Sequence, residues 1–129
     1  MKAAYCYLPI LPARWGQFRA VGRLSPTARS RLTPLFDVHV PVLKKGQKLE
    51  TYLVGRVDGM YRCWEADRPL YVDVYNFPLD MRTESGARPI AYLLNLMRSR
   101  GLRGYPGRRH GIGAGLRLPH CRAHVDREI

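Results

Sequence analysis

Between residues 48 and 102 the hydrophobic pattern changes period twice, and this alternation limits the chain to a mixed α/β architecture. Lys48 to Trp64 places Leu49, Leu53, Val57, Tyr61 and Trp64 at helical spacing, with Tyr52 and Met60 beside them. Gly55 and Gly59 each weaken that helix by up to about 1 kcal/mol relative to alanine, so a break in it is expected. Leu70 to Phe77 then reads as the clearest strand in the chain. It contains two valines and two tyrosines, preceded by Pro69 and closed by Pro78. Within it Asp73 shares a side with Tyr71 and Tyr75 and is aimed at whatever space the sheet encloses. From Pro89 the period returns to helical through Ile90, Leu93, Leu94 and Met97, and Gly101 supplies the stop.

The first half repeats the pattern. Tyr5 to Leu11 predicts a first strand, demoted by Pro9 from full pairing unless its neighbour tolerates the missing N–H. A short helix follows over Gln17 to Leu24. Ser25-Pro26 then opens a second helical turn, with serine as cap and proline at the first position, running to about Leu32. Leu35 to Val40 predicts the second strand. The order strand, helix, strand, helix, strand, helix implies about three βα units with parallel strands and right-handed crossovers.

A fourth strand is due after Gly101-Leu102-Arg103, and the pattern does not supply one. From Gly104 the chain is dominated by glycine, arginine and histidine and keeps neither a strand nor a helix period. The net charge is +12, and residues 103–129 carry about +4 of it in about a fifth of the length. Such a composition is what out-of-frame translation of GC-rich DNA produces. One permitted set of codons for Gly104 to Arg108 reads, one base later, as a Val-Ile-Pro-Val strand. The expected division is therefore a βα-repeat portion over residues 1–102 and an irregular basic tail, out of frame, over residues 103–129.

The three cysteines, Cys6, Cys63 and Cys121, form no CxxC pair, so neither a disulfide framework nor a zinc site is expected and a reducing cytoplasm is the expected compartment. Pro9 and Pro12 argue against a signal peptide at the N-terminus. No apolar run is long enough to cross a membrane.

The segments Tyr7-Leu8-Pro9-Ile10-Leu11, Leu24-Ser25-Pro26 and Arg31-Leu32-Thr33-Pro34-Leu35-Phe36-Asp37-Val38 occur in an unusual order. They resemble the N-terminus of the phage T4 beta-protein-like family, as do Tyr71-Val72-Asp73 and the segment Arg98 to Arg103. The resemblance covers about the first hundred residues. It implies a TIM-like (β/α) barrel of which this chain holds only a part, in a family without an established biochemical activity. It also implies a lysine and a glutamate just after the first strand, where this chain has Arg14 and Gln17.

In such folds function gathers at the carboxyl ends of the strands. The candidates there are Arg14 after the first strand, Asp37 and His39 on the second, and Asp73 and Asn76 on the third. Two carboxylates on neighbouring strand ends can bind a metal ion or share acid–base work, and Arg14 can hold a phosphate or carboxylate bidentately. The structural alternative is that both aspartates pair with backbone or arginine inside the barrel. No catalytic residue is identified, no cofactor is implied, and no metal site is expected from His110, His120, Cys121 and His124, whose spacing fits no zinc pattern. Gly111, Gly113 and Gly115 lack the strand and helix that a phosphate loop needs.

The first functional expectation is therefore a partial family member, inactive alone. The second is a small basic protein that binds nucleic acid through Arg14, Arg19, Arg23, Arg29, Arg31 and the tail. Trp15, beside Arg14 in a loop, is the aromatic free to stack on a base, whereas Tyr61 and Trp64 belong to the core stripe. Open sheet edges predict self-association, and no membrane partner is expected.

Overall fold

The computed structural model describes residues 7–107. The elements run β1 (Ile10–Pro12), α1 (Trp15–Gly22), α2 (Pro26–Ser30), β2 (Leu35–Asp37), α3 (Leu49–Cys63), β3 (Pro69–Asp73), α4 (Pro89–Ser99) and β4 (Arg103–Pro106). All strand pairs are parallel and the sheet order is β1-β2-β3-β4. With right-handed crossovers, a sequential order carries every connecting helix to the same face, as in a barrel, whereas a doubly wound sheet reverses direction. The core agrees: Phe36, Val38, Leu70 and Val72 pack in one cluster with Phe18 and Val21 of α1, Leu53, Val57 and Met60 of α3, and Leu93 and Met97 of α4.

The alternate residues Ile10, Leu35, Tyr71 and Tyr105 stand in register on the opposite, helix-free face. The Tyr71 and Tyr105 rings lie 5.7 Å apart there. A Cβ on Gly107 would come within 2.8 Å of Leu35 Cδ1, although β3 separates their strands. In a flat sheet two strand spacings, about 9.6 Å, would keep them apart. The sheet therefore curls toward its helix-free face, the curvature of a barrel wall.

The missing fourth strand is a correction. Arg103 to Pro106 pairs with β3 through four register positions, and Gly107 N–H continues the ladder to Val72 O at 2.7 Å. Side-chain period does not announce this strand because turn geometry and backbone pairing make it. Gly101, at φ +79°, closes α4: its N–H donates to Arg98 O at 3.0 Å and that of Leu102 to Met97 O at 2.8 Å. Leu102 is then buried and the chain returns beside β3. Gly104 lets the end of the Met97 side chain lie against the β4 backbone. The rest of the basic tail, with its histidines, Cys121 and glycine run, lies outside the described residues, as does Cys6.

Both edges of the sheet, among the described residues, carry a proline on their outer side. Tyr7 donates to Arg31 O ahead of β2 and Ala13 to Asp37 O within it, so Pro12 faces outward with the even-numbered residues; Gly107 donates to β3, so Pro106 faces outward too. Each proline removes one donor from an exposed edge and weakens strand addition there.

Helix α3 does not break at its glycines. Gly55 faces open space, whereas a Cβ at Gly59 would strike the Phe18 ring. Tyr61 does not join the buried stripe; it is 48% exposed while Met60 is fully buried. Eleven residues at about 100° each bring Met60 within about 20° of Leu49, whereas Tyr61 lands about 120° away. Helix α1 starts at Trp15, two residues before the expected start, because Arg14 in an extended conformation already accepts the Phe18 N–H at 2.9 Å. Ser25 caps α2 as expected, its Oγ accepting from Ala28 N at 3.2 Å.

Two charged fastenings tie the helices together. Arg29 donates to Val21 O (2.6 Å) at the end of α1, to Cys63 O (2.8 Å) at the end of α3, and to Glu65 Oε1 (2.9 Å). Arg29 and Arg68 both lie over the Trp64 ring, at 5.1 and 4.9 Å from its centre. At the other end of α3, Lys48 offers no cap, and Glu84 from the β3–α4 loop accepts from the N–H groups of Leu49 (2.7 Å) and Glu50 (2.9 Å). Glu50 returns the contact by accepting from Ser85 N at 2.9 Å and from its hydroxyl. Hydrogen bonds from Ser85, first from its side chain, then from its backbone, hold the Glu50 carboxyl below the usual range; the α3 amides of Glu50 and Leu49 do the same for Glu84.

The two glycines of α3 should respond in opposite directions to alanine. Gly55→Ala should stabilise by up to about 1 kcal/mol, and Gly59→Ala should destabilise by about 1–3 kcal/mol through overpacking against Phe18, as read from urea midpoints. The Glu84–Glu50 fastening sets a pH dependence. Both folded pKa values lie below the ordinary one, so the stabilisation is complete above about pH 4.3 and is lost as pH falls through the depressed values. Melting temperature should therefore drop on acidification below about pH 4.3. Glu84→Gln should lower it at neutral pH and flatten the acid decline to the parts carried by Glu50, which Ser85 depresses, and by Glu65, which Arg29 depresses.

Candidate functional site

The carboxyl ends of the four strands open on the same rim, where the sequence candidates fall. Asp37 and Asp73 are the last residues of β2 and β3, register partners on the helix-free face, and both are buried. The ladder runs on beneath them, with Ala13 N donating to Asp37 O (2.9 Å) and Val38 N to Asp73 O (2.8 Å). His39, two residues beyond Asp37, sets Nε2 3.3 Å from Asp37 Oδ2 and keeps a solvent-facing side chain. The structure thus brings Asp37, His39 and Asp73 together. A carboxylate pair with an adjoining imidazole can accept ligand hydroxyl or ammonium hydrogens and can move a proton between ligand and solvent.

The other two candidates are placed differently. Asn76 bridges loops: its Oδ1 accepts from Val40 N at 3.3 Å and couples the segment after β3 to that after β2. Arg14 is the extended cap residue of α1, exposed on the rim, with no contact to the aspartates among the described residues. Gln17 lies in the first turn of α1, half-buried.

Sequence reasoning missed the residues that hold this rim in place. Arg56 reaches from α3 to donate to Ala13 O at 3.0 Å, and its guanidinium lies 4.9 Å over the Tyr52 ring. The Tyr52 hydroxyl donates to His39 O at 2.9 Å. Tyr52 also lines a cavity of about 720 Å³ under the β2–α3 loop, with Lys48, Gln47 and Thr51. A second cavity of about 380 Å³ lies between the β3–α4 loop and the end of β4, where Asp73, Arg82, Arg88 and Gly107 meet. Neither arginine carries a sequence signal, since loop contacts alone bring them to the cavity that Asp73 also lines. The Glu84 cap did carry one: a lysine in the cap position of α3 leaves amides that some other acceptor must satisfy.

Two other groups are accounted for structurally. Burial pushes the Cys63 thiol up to about 11, so it stays protonated and unreactive. Burial, then the neighbouring Tyr105, raises the Tyr71 phenol above its usual value. Among the described residues no group of three or more histidine, cysteine or acidic side chains is arranged to hold a metal ion, and no helix is long and apolar enough to cross a membrane.

Compared with known families, the chain matches the Beta protein family over residues 7–117. The match runs past Arg103 and includes β4. No curated protein and no solved structure matches it. A parallel, sequentially ordered α/β sheet with its polar residues gathered at the strand ends, under a family match spanning most of its length, places the chain: it belongs to the Beta protein family.

Proposed function

We propose that this chain forms one arc of an α/β barrel whose ligand-handling end is the carboxyl rim of the strands. Asp37 and Asp73 face the ligand there, and His39 acts as a proton-exchanging neighbour. Arg14, Arg82 and Arg88 ring the same end and suit a ligand carrying an anionic group beside its hydroxyls. The reading rests on one observation above all, the register pairing of Asp37 with Asp73 at the ends of adjoining parallel strands. Polar groups at the carboxyl ends of parallel strands are where such folds gather their ligand-handling residues.

On this reading turnover needs strands beyond β4, because eight are typical of a closed barrel and catalytic groups come from several strand ends. The arc alone binds without catalysing, and the β1 and β4 edges are where further strands or another copy would add. The proline on each edge restricts but does not forbid that addition.

The double variant Asp37→Asn/Asp73→Asn tests the assignment. If the pair serves a ligand, the variant should melt at or above the temperature of the parent chain, with an unchanged circular dichroism spectrum. A loss of about 3 kcal/mol or more, the cost of breaking a buried ionic network, would assign both aspartates to the scaffold and reject the site.

A further inference from the structure

The arginines of this chain sort into two groups. Arg29, Arg56, Arg68, Arg82 and Arg103 donate to backbone carbonyls, and Arg100 pairs with Asp58. Arg14, Arg19, Arg23, Arg31, Arg62, Arg88 and Arg98 do neither: among the described residues their side chains form no hydrogen bond or ion pair, and all are exposed; the first three lie together. These three flank or belong to α1, within a stretch of 36 residues from the N-terminus that contains no aspartate or glutamate. Trp15, at the first position of α1, is 59% exposed.

We propose that the outer face of α1 binds single-stranded nucleic acid, with Trp15 stacking on a base and Arg14, Arg19 and Arg23 holding phosphates. Trp15, Arg19 and Arg23 follow at intervals of four residues, so they form one stripe with successive members about 6 Å apart along the axis. Phe18 and Val21 turn inward and are buried in the core. The stripe is therefore cationic and aromatic with no aliphatic side left over. That distinguishes it from a membrane-surface helix, which must present an apolar face to lipid. A single-stranded partner is favoured over duplex because an exposed indole needs an unstacked base to lie against, and a planar guanidinium matches phosphate in two-point contact. Arg29, one of the residues a charge-only reading would include, is excluded: its donors are engaged by Val21, Cys63 and Glu65. The surface borders the strand-end site and shares Arg14 with it, but it needs neither the two aspartates nor His39.

The experiment uses the full chain and an oligothymidylate of about a dozen nucleotides. The chain has two tryptophans, and Trp64 is buried, so quenching of indole fluorescence reports on Trp15. Titration should quench it, and log affinity should fall against log salt with a slope of about −2 for three phosphate contacts. Trp15→Ala should weaken binding by about 5- to 150-fold. Arg19→Gln/Arg23→Gln should weaken it further and flatten the salt slope, with melting temperature unchanged because both side chains are exposed. Binding that survives Arg19→Gln/Arg23→Gln at parent affinity would overturn the proposal. So would equal affinity for a duplex of the same length, or for phosphatidylserine vesicles, without quenching of Trp15, since either would mean attraction by net charge alone.

Discussion

The Phe18 ring is the joint on which the rest of the molecule hangs. It occupies the notch left by Gly59 on α3 and tilts against Phe36 of β2 at 5.2 Å between ring centres. One side chain thus holds α1, α3 and the middle of the sheet in contact. A larger residue at position 59 would push α1 away from α3 and expose the helix-side layer of Phe36, Val38, Leu70 and Val72, from which the core is built. Close approach of helices over a small residue, followed by close packing against the sheet, is what lets so short a chain bury a continuous core.

Charge then secures what packing brings together. Helix α3 meets a carboxylate at its N-terminus and a guanidinium at its C-terminus, from Glu84 and Arg29. Each matches the partial charge at that end of the helix dipole. Both partners come from distant segments, so the contacts that stabilise α3 also pin the α1–α2 corner below and the β3–α4 loop above. The loop pinned in this way carries Arg82 to the cavity beside Asp73. The candidate site is therefore shaped by the same contacts that hold the fold, and its rim is rigid where Tyr52 and Arg56 clamp the ends of β1 and β2.

Much of this was legible from local pattern. The βα alternation, the Ser25 cap, the position of β3 inside the sheet and the placing of Asp37, His39 and Asp73 toward strand ends all follow from period and punctuation. The fourth strand was not, because Arg103-Gly104-Tyr105-Pro106 carries no alternating apolar signal; it is held by backbone pairing and by a glycine-terminated helix that turns the chain back. The burial of Met60 in place of Tyr61 was misjudged for a related reason, since steps of four drift around a helix that turns every 3.6 residues.

By itself the sequence determined the class of the fold, the order of its elements and the end at which its polar groups collect. Those properties depend on side-chain period and on the one-handedness of parallel crossovers, both of which act locally. Only the tertiary structure decided which glycine is indispensable, which arginines are engaged and which face solvent, and how Glu84 comes to cap a helix 35 residues before it in the chain. These are pair properties of residues far apart in the chain, and no single position encodes its partner.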